Sequence, residues 1–343
     1  MKELQAIVRA LVAPGAPESV LATLVTVEGS SYRRPGARLL VTADGTRIGS
    51  ISGGCLEEDV LARARRVLAT GKAEAVVYDT TSENDLVWGV GLGCHGVVRV
   101  LLEKLPAHPD WAAVLAENFA ARRSTPLAVV HRANDPAQLG TRLADSVPAV
   151  HESDMEVYHH TIPPPTALAI FGAGDDAQPL VRLAEELGWH VTVGDPRAAF
   201  ATSERFPSAD RVVVAPAEEL AARVYDPSPA PALPVHRSLG EGGSNVEGPA
   251  VRVHRSLGEG GSNVEGLAIV MTHHYVHDVP LLRTLLPRPL AYLGLLGPKK
   301  RAEKILADLA RAGFDPTAER RARLHAPVGL DLGADGPEQV ALA

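Results

Sequence analysis

Short apolar runs bounded by glycine, proline and small polar residues make up most of the chain, and their lengths predict its elements. Residues 1–11 interleave charged and apolar positions and predict a short amphipathic helix. Residues 21–27 read as a buried strand, and 37–42 and 47–50 as two strands joined by a tight loop at Ala43-Asp44-Gly45. Leu56, Val60, Ala64, Val67 and Leu68 then recur at helical spacing, with Gly71 as the stop. Strands at 74–79, 97–102 and 127–131, a helix over 109–123 and a mixed stretch to 162 complete an α+β half.

Residues 161–166 hold three prolines in a row, a stiff, extended linker that places the domain boundary between 1–162 and 163–343. Beyond it the rhythm changes to alternating strands and helices. Strands fall at 167–171, 190–193, 211–214, 267–271 and 290–295, and helices at 179–187, 216–224 and from Gly297 to about residue 312. That alternation predicts a Rossmann-like, doubly wound parallel sheet, so the fold class is α/β with an α+β domain in front. Residues 231–248 recur at 249–266 with two substitutions, and two Gly- and Ser-rich copies cannot stack a core. The repeat at 231–266 therefore reads as a flexible insertion, and its His236 and His254 as poor metal ligands.

The charge balance narrows the partners. Lys and Arg number 34 against 41 Asp and Glu, a formal net charge of −7, and without a long basic run this argues against nucleic acid or an anionic membrane. No window reaches the roughly 18 apolar residues of a membrane helix, and the charged N-terminus does not read as a signal peptide. Two cysteines in 343 residues point to a reducing compartment, so cytoplasm is the expectation.

Both cysteines sit in glycine-rich turns. In Ile48-Gly49-Ser50-Ile51-Ser52-Gly53-Gly54-Cys55-Leu56-Glu57 a strand runs through a double glycine into a helix. Unpaired N–H groups and the positive dipole end at a helix start favour anions, thiolates included. Two readings of Cys55 stay open, a presented reactive thiol and a small buried hydrophobe. Cys94, in Gly91-Leu92-Gly93-Cys94-His95-Gly96, is a second thiol that would flank the same rim. The loop holding Ser30, Ser31, Arg33 and Arg38 combines hydroxyls with guanidinium groups suited to an anionic group, or is a solvated basic loop. No paired Cys-x-x-Cys spacing supplies a zinc site.

In the second half, Gly172-Ala173-Gly174-Asp175-Asp176-Ala177 follows a strand and opens a helix, the context a Gly-x-Gly-x-x-Ala dinucleotide turn requires. Gly172, Gly174, Ala177 and Asp195 are its candidate nucleotide residues, with Asp195 placed to bond a ribose hydroxyl and so to favour NAD. Asp175 and Asp176 would repel a pyrophosphate at that helix start. Thr272-His273-His274-Tyr275-Val276-His277-Asp278 reads as a loop lining the crevice, and Gly297-Pro298-Lys299-Lys300-Arg301 as a second anion cradle.

Taken together, these blocks resemble the XdhC/CoxI family, accessory proteins of molybdenum hydroxylases such as xanthine dehydrogenase. The likeness rests on Gly29-Ser30-Ser31 with Pro35-Gly36-Ala37, the two cysteine blocks, Phe171-Gly172-Ala173-Gly174, Asp195-Pro196-Arg197, Val270-Met271-Thr272-His273, Tyr292 to Gly297 and Leu324 to Asp331. It implies a carrier of the molybdenum cofactor that supports sulfuration by a cysteine desulfurase, inserts the cofactor into its hydroxylase and forms a homodimer. On that resemblance Cys55 would contact the cofactor's molybdenum, Gly53 and Gly54 would let the backbone approach, and Ser30, Ser31, Arg33 and Arg38 would hold anionic groups, with Cys94 nearby. The competing expectation is an NAD-dependent oxidoreductase that uses the Rossmann half and a reactive cysteine.

Overall fold

The computed structural model describes residues 1–79, 96–147, 154–226 and 266–343. Cys94, His95 and all of the tandem repeat but Gly266 lie outside the described residues. Two compact units, Met1–Pro165 and Thr166–Ala343, divide the chain.

The first unit contains helix α1 (Lys2–Val12), strands β1 (Ser19–Gly29), β2 (Arg38–Thr42) and β3 (Arg47–Gly49), helix α2 (Glu57–Thr70), strands β4 (Glu74–Asp79) and β5 (Gly96–Leu105), helix α3 (Asp110–Ala120), and strands β6 (Thr125–Ala133), β7 (Gly140–Leu143) and β8 (Met155–Ile162). Its antiparallel sheet runs β3-β2-β1-β5-β4, and a smaller one runs β7-β6-β8. β1 is buried along most of its length because both of its faces are covered. Val20, Ala22 and Leu24 pack with Val60, Ala64 and Val67 of α2, whereas Leu21 packs with Ile7 and Leu11 of α1 and Leu115 of α3. Asp44 closes the β2–β3 turn by accepting from the Thr46 N–H at 2.9 Å. Gly71 ends α2 in the left-handed region (φ 70°), and its N–H caps Val67.

The second unit contains strand β9 (Ala167–Phe171), helix α4 (Ala177–Glu186), strands β10 (His190–Asp195) and β11 (Arg211–Val214), helix α5 (Ala217–Tyr225), strand β12 (Leu267–Val270), helix α6 (Tyr275–Leu285), strand β13 (Tyr292–Leu295), helices α7 (Lys299–Arg311) and α8 (Ala318–Ala322), strand β14 (Leu324–His325) and helix α9 (Pro337–Leu342). Every pairing in the sheet β11-β10-β9-β12-β13-β14 is parallel. This is the doubly wound order, whose direction reverses beside β9 and opens a crevice there. One face packs Val270, Leu282 and Ile305, and the other packs Val181, Ala184 and Phe206.

One segment differs from the sequence reading. Residues 275–278 are the first turn of α6 rather than a loop, since Leu281, Leu282 and Leu285 bury a helical face that Pro280 and the neighbouring histidines disguise. Among the described residues no helix is long and apolar enough to cross a membrane.

Candidate functional site

The turn from β3 into α2 is built from its glycines outward. Gly49 has φ +90°, and a Cβ there would lie 2.3 Å from the Arg38 carbonyl oxygen, so only glycine lets the chain leave β3 this way. Ser50 N then donates to that carbonyl at 3.0 Å, and Ile51 is buried in the α2 cluster. Gly53, Gly54 and Cys55 follow, all exposed. Gly54 has φ +110° with open space where a Cβ would stand, so its backbone, not its surroundings, demands glycine.

Two side chains organise these exposed residues. Ser52 Oγ accepts from the N–H groups of Cys55 and Leu56, both at 3.0 Å, and from that of Gly54 at 3.3 Å. The Glu57 carboxylate accepts from Ser52 N at 2.8 Å, Gly54 N at 3.1 Å and Ser50 Oγ at 3.2 Å, and from the Ser52 hydroxyl. Burial pushes the Glu57 carboxyl up, but these hydrogen bonds outweigh it and hold the group below the usual carboxylate range. The N–H groups of the turn ahead of this helix are therefore satisfied from within. α2 also begins at Glu57, two residues beyond the cysteine, and its first turn carries Glu57, Glu58 and Asp59.

The Ser30–Ser31 loop reaches this turn through its neighbours. Tyr32, 73% exposed, lays its ring against Gly53, where a Cβ would stand 3.4 Å from the ring carbons. Arg33 pairs with Glu3 of α1 and donates to the Ser50 carbonyl at 3.4 Å, which joins helix, loop and turn. Ser30 is exposed and Ser31 half-buried. Gly96 opens β5 hard against this loop, since a Cβ there would meet the Ser30 carbonyl oxygen at 2.3 Å.

Arg38 goes elsewhere. It alternates with Leu39, which faces α2, and its buried side chain lies among Glu103, Tyr158 and His160. Burial pushes its guanidinium down to about 10, against the pull of Tyr158 and Glu103. Nη1 donates to the Gly36 carbonyl at 3.1 Å, while Nε and Nη2 have no hydrogen-bond partner. Gly53, Gly54 and Cys55 thus share one turn with the Ser30–Ser31 loop beside it, Arg33 is engaged by Glu3, and Arg38 lies on the opposite face of the sheet. Sequence reasoning missed Ser52, Glu57 and Tyr32 as parts of this site. The available signal was Glu57 three residues after Gly54, the reach of a capping-box glutamate.

The crevice residues of the second unit do converge. Gly172 has φ +123°, and a Cβ there would strike the Met271 carbonyl oxygen at 2.4 Å. Ala177 is buried as the first residue of α4. At Gly174 a Cβ would stand 2.8 Å from Asp176 Oδ1. Asp195, 1% exposed, accepts from Ala173 N at 2.8 Å, Arg197 N at 2.8 Å and Arg197 Nε at 2.9 Å. Burial raises its carboxyl, and the Arg197 and Ala173 bonds outweigh that and hold it low. The acid expected to bond a ribose thus accepts from the N–H of its own glycine turn and from Arg197. Asp175 pairs with Arg205 at 2.8 Å and Asp176 with His273 at 2.7 Å. Among the described residues no group of three or more His, Cys, Asp or Glu could hold a metal ion.

A family model for the XdhC Rossmann domain matches residues 168–343, and one for the XdhC and CoxI family matches residues 16–79. The chain belongs to the XdhC and CoxI family. The 16–79 match spans both the Ser30–Ser31 loop and the Cys55 turn. This XdhC-family chain is 31% identical to a probable xanthine dehydrogenase subunit of Bacillus subtilis (strain 168), over 95% of this chain and 91% of that protein. It is 32% identical to the molybdenum cofactor insertion chaperone PaoD of Escherichia coli (strain K12), over 28% of this chain and 30% of PaoD. Its structure is similar to the crystal structure of a xanthine dehydrogenase from Bacillus halodurans, with a TM-score of 0.73, 29% identity and coverage of 100% of this chain and 93% of that one.

Proposed function

We propose that this XdhC-family chain carries the molybdenum cofactor as cargo and delivers it to a xanthine dehydrogenase-type molybdenum hydroxylase. The observation that carries the reading is the exposed Cys55 at the end of two exposed glycines, beside a loop of hydroxyls. A thiolate is a soft ligand suited to molybdenum. Gly53 and Gly54 offer bare backbone for a close approach, and Ser30 and Ser31 offer hydroxyls to the phosphate of the pterin. Cys94 would supply a second thiol. In this reading the cofactor is held while a cysteine desulfurase exchanges an oxo ligand for sulfide, and the carrier acts as a homodimer. The curated relative that names a cofactor insertion chaperone supports the cargo. What weighs against the alternative that uses NAD is that the Asp195 carboxylate already accepts from Ala173 and Arg197.

The test is the molybdenum and pterin content of the protein purified from cells that make the cofactor. Wild type is expected to carry both and Cys55→Ala to lose both. Wild type free of both, from cells in which a molybdenum hydroxylase is fully loaded, would sink the carrier reading.

A further inference from the structure

We infer that Glu57, together with Ser52, is the positioning residue of the Cys55 turn: an internal anion that binds the N–H groups of the turn ahead of α2 and so fixes how the thiol is presented. The inference rests on the carrier reading for its purpose, but its geometry stands apart from it.

Apolar packing secures the ends of the turn, through buried Ile51 and half-buried Leu56, and touches Gly53 through the Tyr32 ring. Between them Gly53, Gly54 and Cys55 are exposed, and Gly54 has nothing within 4 Å of where a side chain would begin. Apart from the Tyr32 ring on Gly53, packing does not define the path of this stretch. Hydrogen bonds do: the N–H groups of Ser52, Gly54, Cys55 and Leu56 and the hydroxyl of Ser52 end on Ser52 Oγ or the Glu57 carboxylate, and the Ser50 hydroxyl reaches the Ser52 carbonyl oxygen at 2.5 Å and the Glu57 carboxylate at 3.2 Å. The two acceptors form one unit, because the hydroxyl that receives three N–H groups itself donates to Glu57.

This closed turn also bears on the cargo. Backbone N–H groups at a helix start would ordinarily receive a phosphate. Here the N–H groups of Ser52 and Gly54, just ahead of α2, already face the Glu57 carboxylate, and those of Cys55 and Leu56 face the Ser52 hydroxyl. With the N–H groups of the turn taken, the anionic end of a pterin is left to the hydroxyls of Ser30 and Ser31.

The experiment compares Glu57→Gln, Ser52→Ala, the double variant and Glu58→Gln in the full chain, reading amide hydrogen exchange in peptides spanning 52–57 and molybdenum retained on purification. Gln keeps the size of Glu57 but replaces one acceptor oxygen with a donor. Each single variant is expected to speed exchange there by on the order of tenfold, and the double variant by no more than either single one, because the pair acts as a unit. Glu58→Gln should match wild type, and retained molybdenum should fall several-fold in the variants that loosen the turn. Unchanged exchange in both Glu57→Gln and Ser52→Ala would overturn the inference, as would a loosened turn that retains molybdenum like wild type. Wild type without molybdenum would instead remove the carrier reading, and the exchange data would still decide whether Glu57 holds the turn.

Discussion

Three glycines of one sequence block do different physical work, and substitution should separate them. Gly49→Ala forces a Cβ onto the Arg38 carbonyl oxygen at positive φ and is expected to cost about 2–4 kcal/mol. Gly54→Ala meets open space and pays only for its backbone, roughly 1–2 kcal/mol. Gly53→Ala places its methyl in ordinary contact with Tyr32 and should stay within about 0.5 kcal/mol of wild type, with urea unfolding as the measurement for all three. Glu103 gives a pH test at the same scale. Burial raises its carboxyl, while bonds from Thr141 and the charge of Arg38 oppose the rise without cancelling it. Its contribution to stability is therefore fully present below its ordinary value of 4.5 and is lost as pH rises through the higher folded value, because the unfolded chain releases the proton first. The melting temperature of wild type should fall from mildly acidic to neutral pH more steeply than that of Glu103→Gln.

The decisive element in the first unit is the turn ahead of α2, and in the second it is the turn ahead of α4. Both look in sequence like glycine-rich anion cradles at helix starts, and both are closed by a carboxylate of the chain itself, Glu57 in one and Asp195 in the other. Asp195→Ala leaves the Ala173 N–H and the Arg197 guanidinium without their acceptor and should destabilise the second unit by about 2–3 kcal/mol. Titration of wild type with NADH, followed by nicotinamide fluorescence, is expected to show no saturable change. A saturable one would mean that the Asp195 latch opens to nucleotide. Element boundaries were largely legible because their signals are local: the helical spacing of Val60, Ala64 and Val67, the left-handed Gly71 cap, and the strand-turn-helix around Gly172. α6 was not, because Pro280 and the histidines around its first turn hide a face that declares itself only on burial of Leu281, Leu282 and Leu285.

At the scale of the molecule, each unit owns its core. The clusters around β1 draw on residues of the first unit alone, and those on both faces of the parallel sheet draw on the second. A fragment spanning residues 1–165 is therefore expected to fold by itself with one cooperative transition and to keep the Cys55 turn. Circular dichroism on heating checks this, and a fragment that melts without cooperativity would show that the second unit is needed to complete the first.

What the sequence determined by itself was whatever depends on neighbours along the chain: the alternation and helical spacing that set the elements, the change of rhythm past the proline run, and the family blocks around Cys55 and Gly172. Tertiary structure alone decided where charges end up. Arg33 and Arg38 lie five positions apart in one basic stretch, yet one meets Glu3 and the other is buried beside Glu103, Tyr158 and His160. N–H groups of the turns ahead of α2 and α4 found partners in Ser52, Glu57 and Asp195. The reason is that a buried or semi-buried polar group takes whatever partner the packed backbone brings within hydrogen-bond reach, and that choice is made through space rather than along the chain.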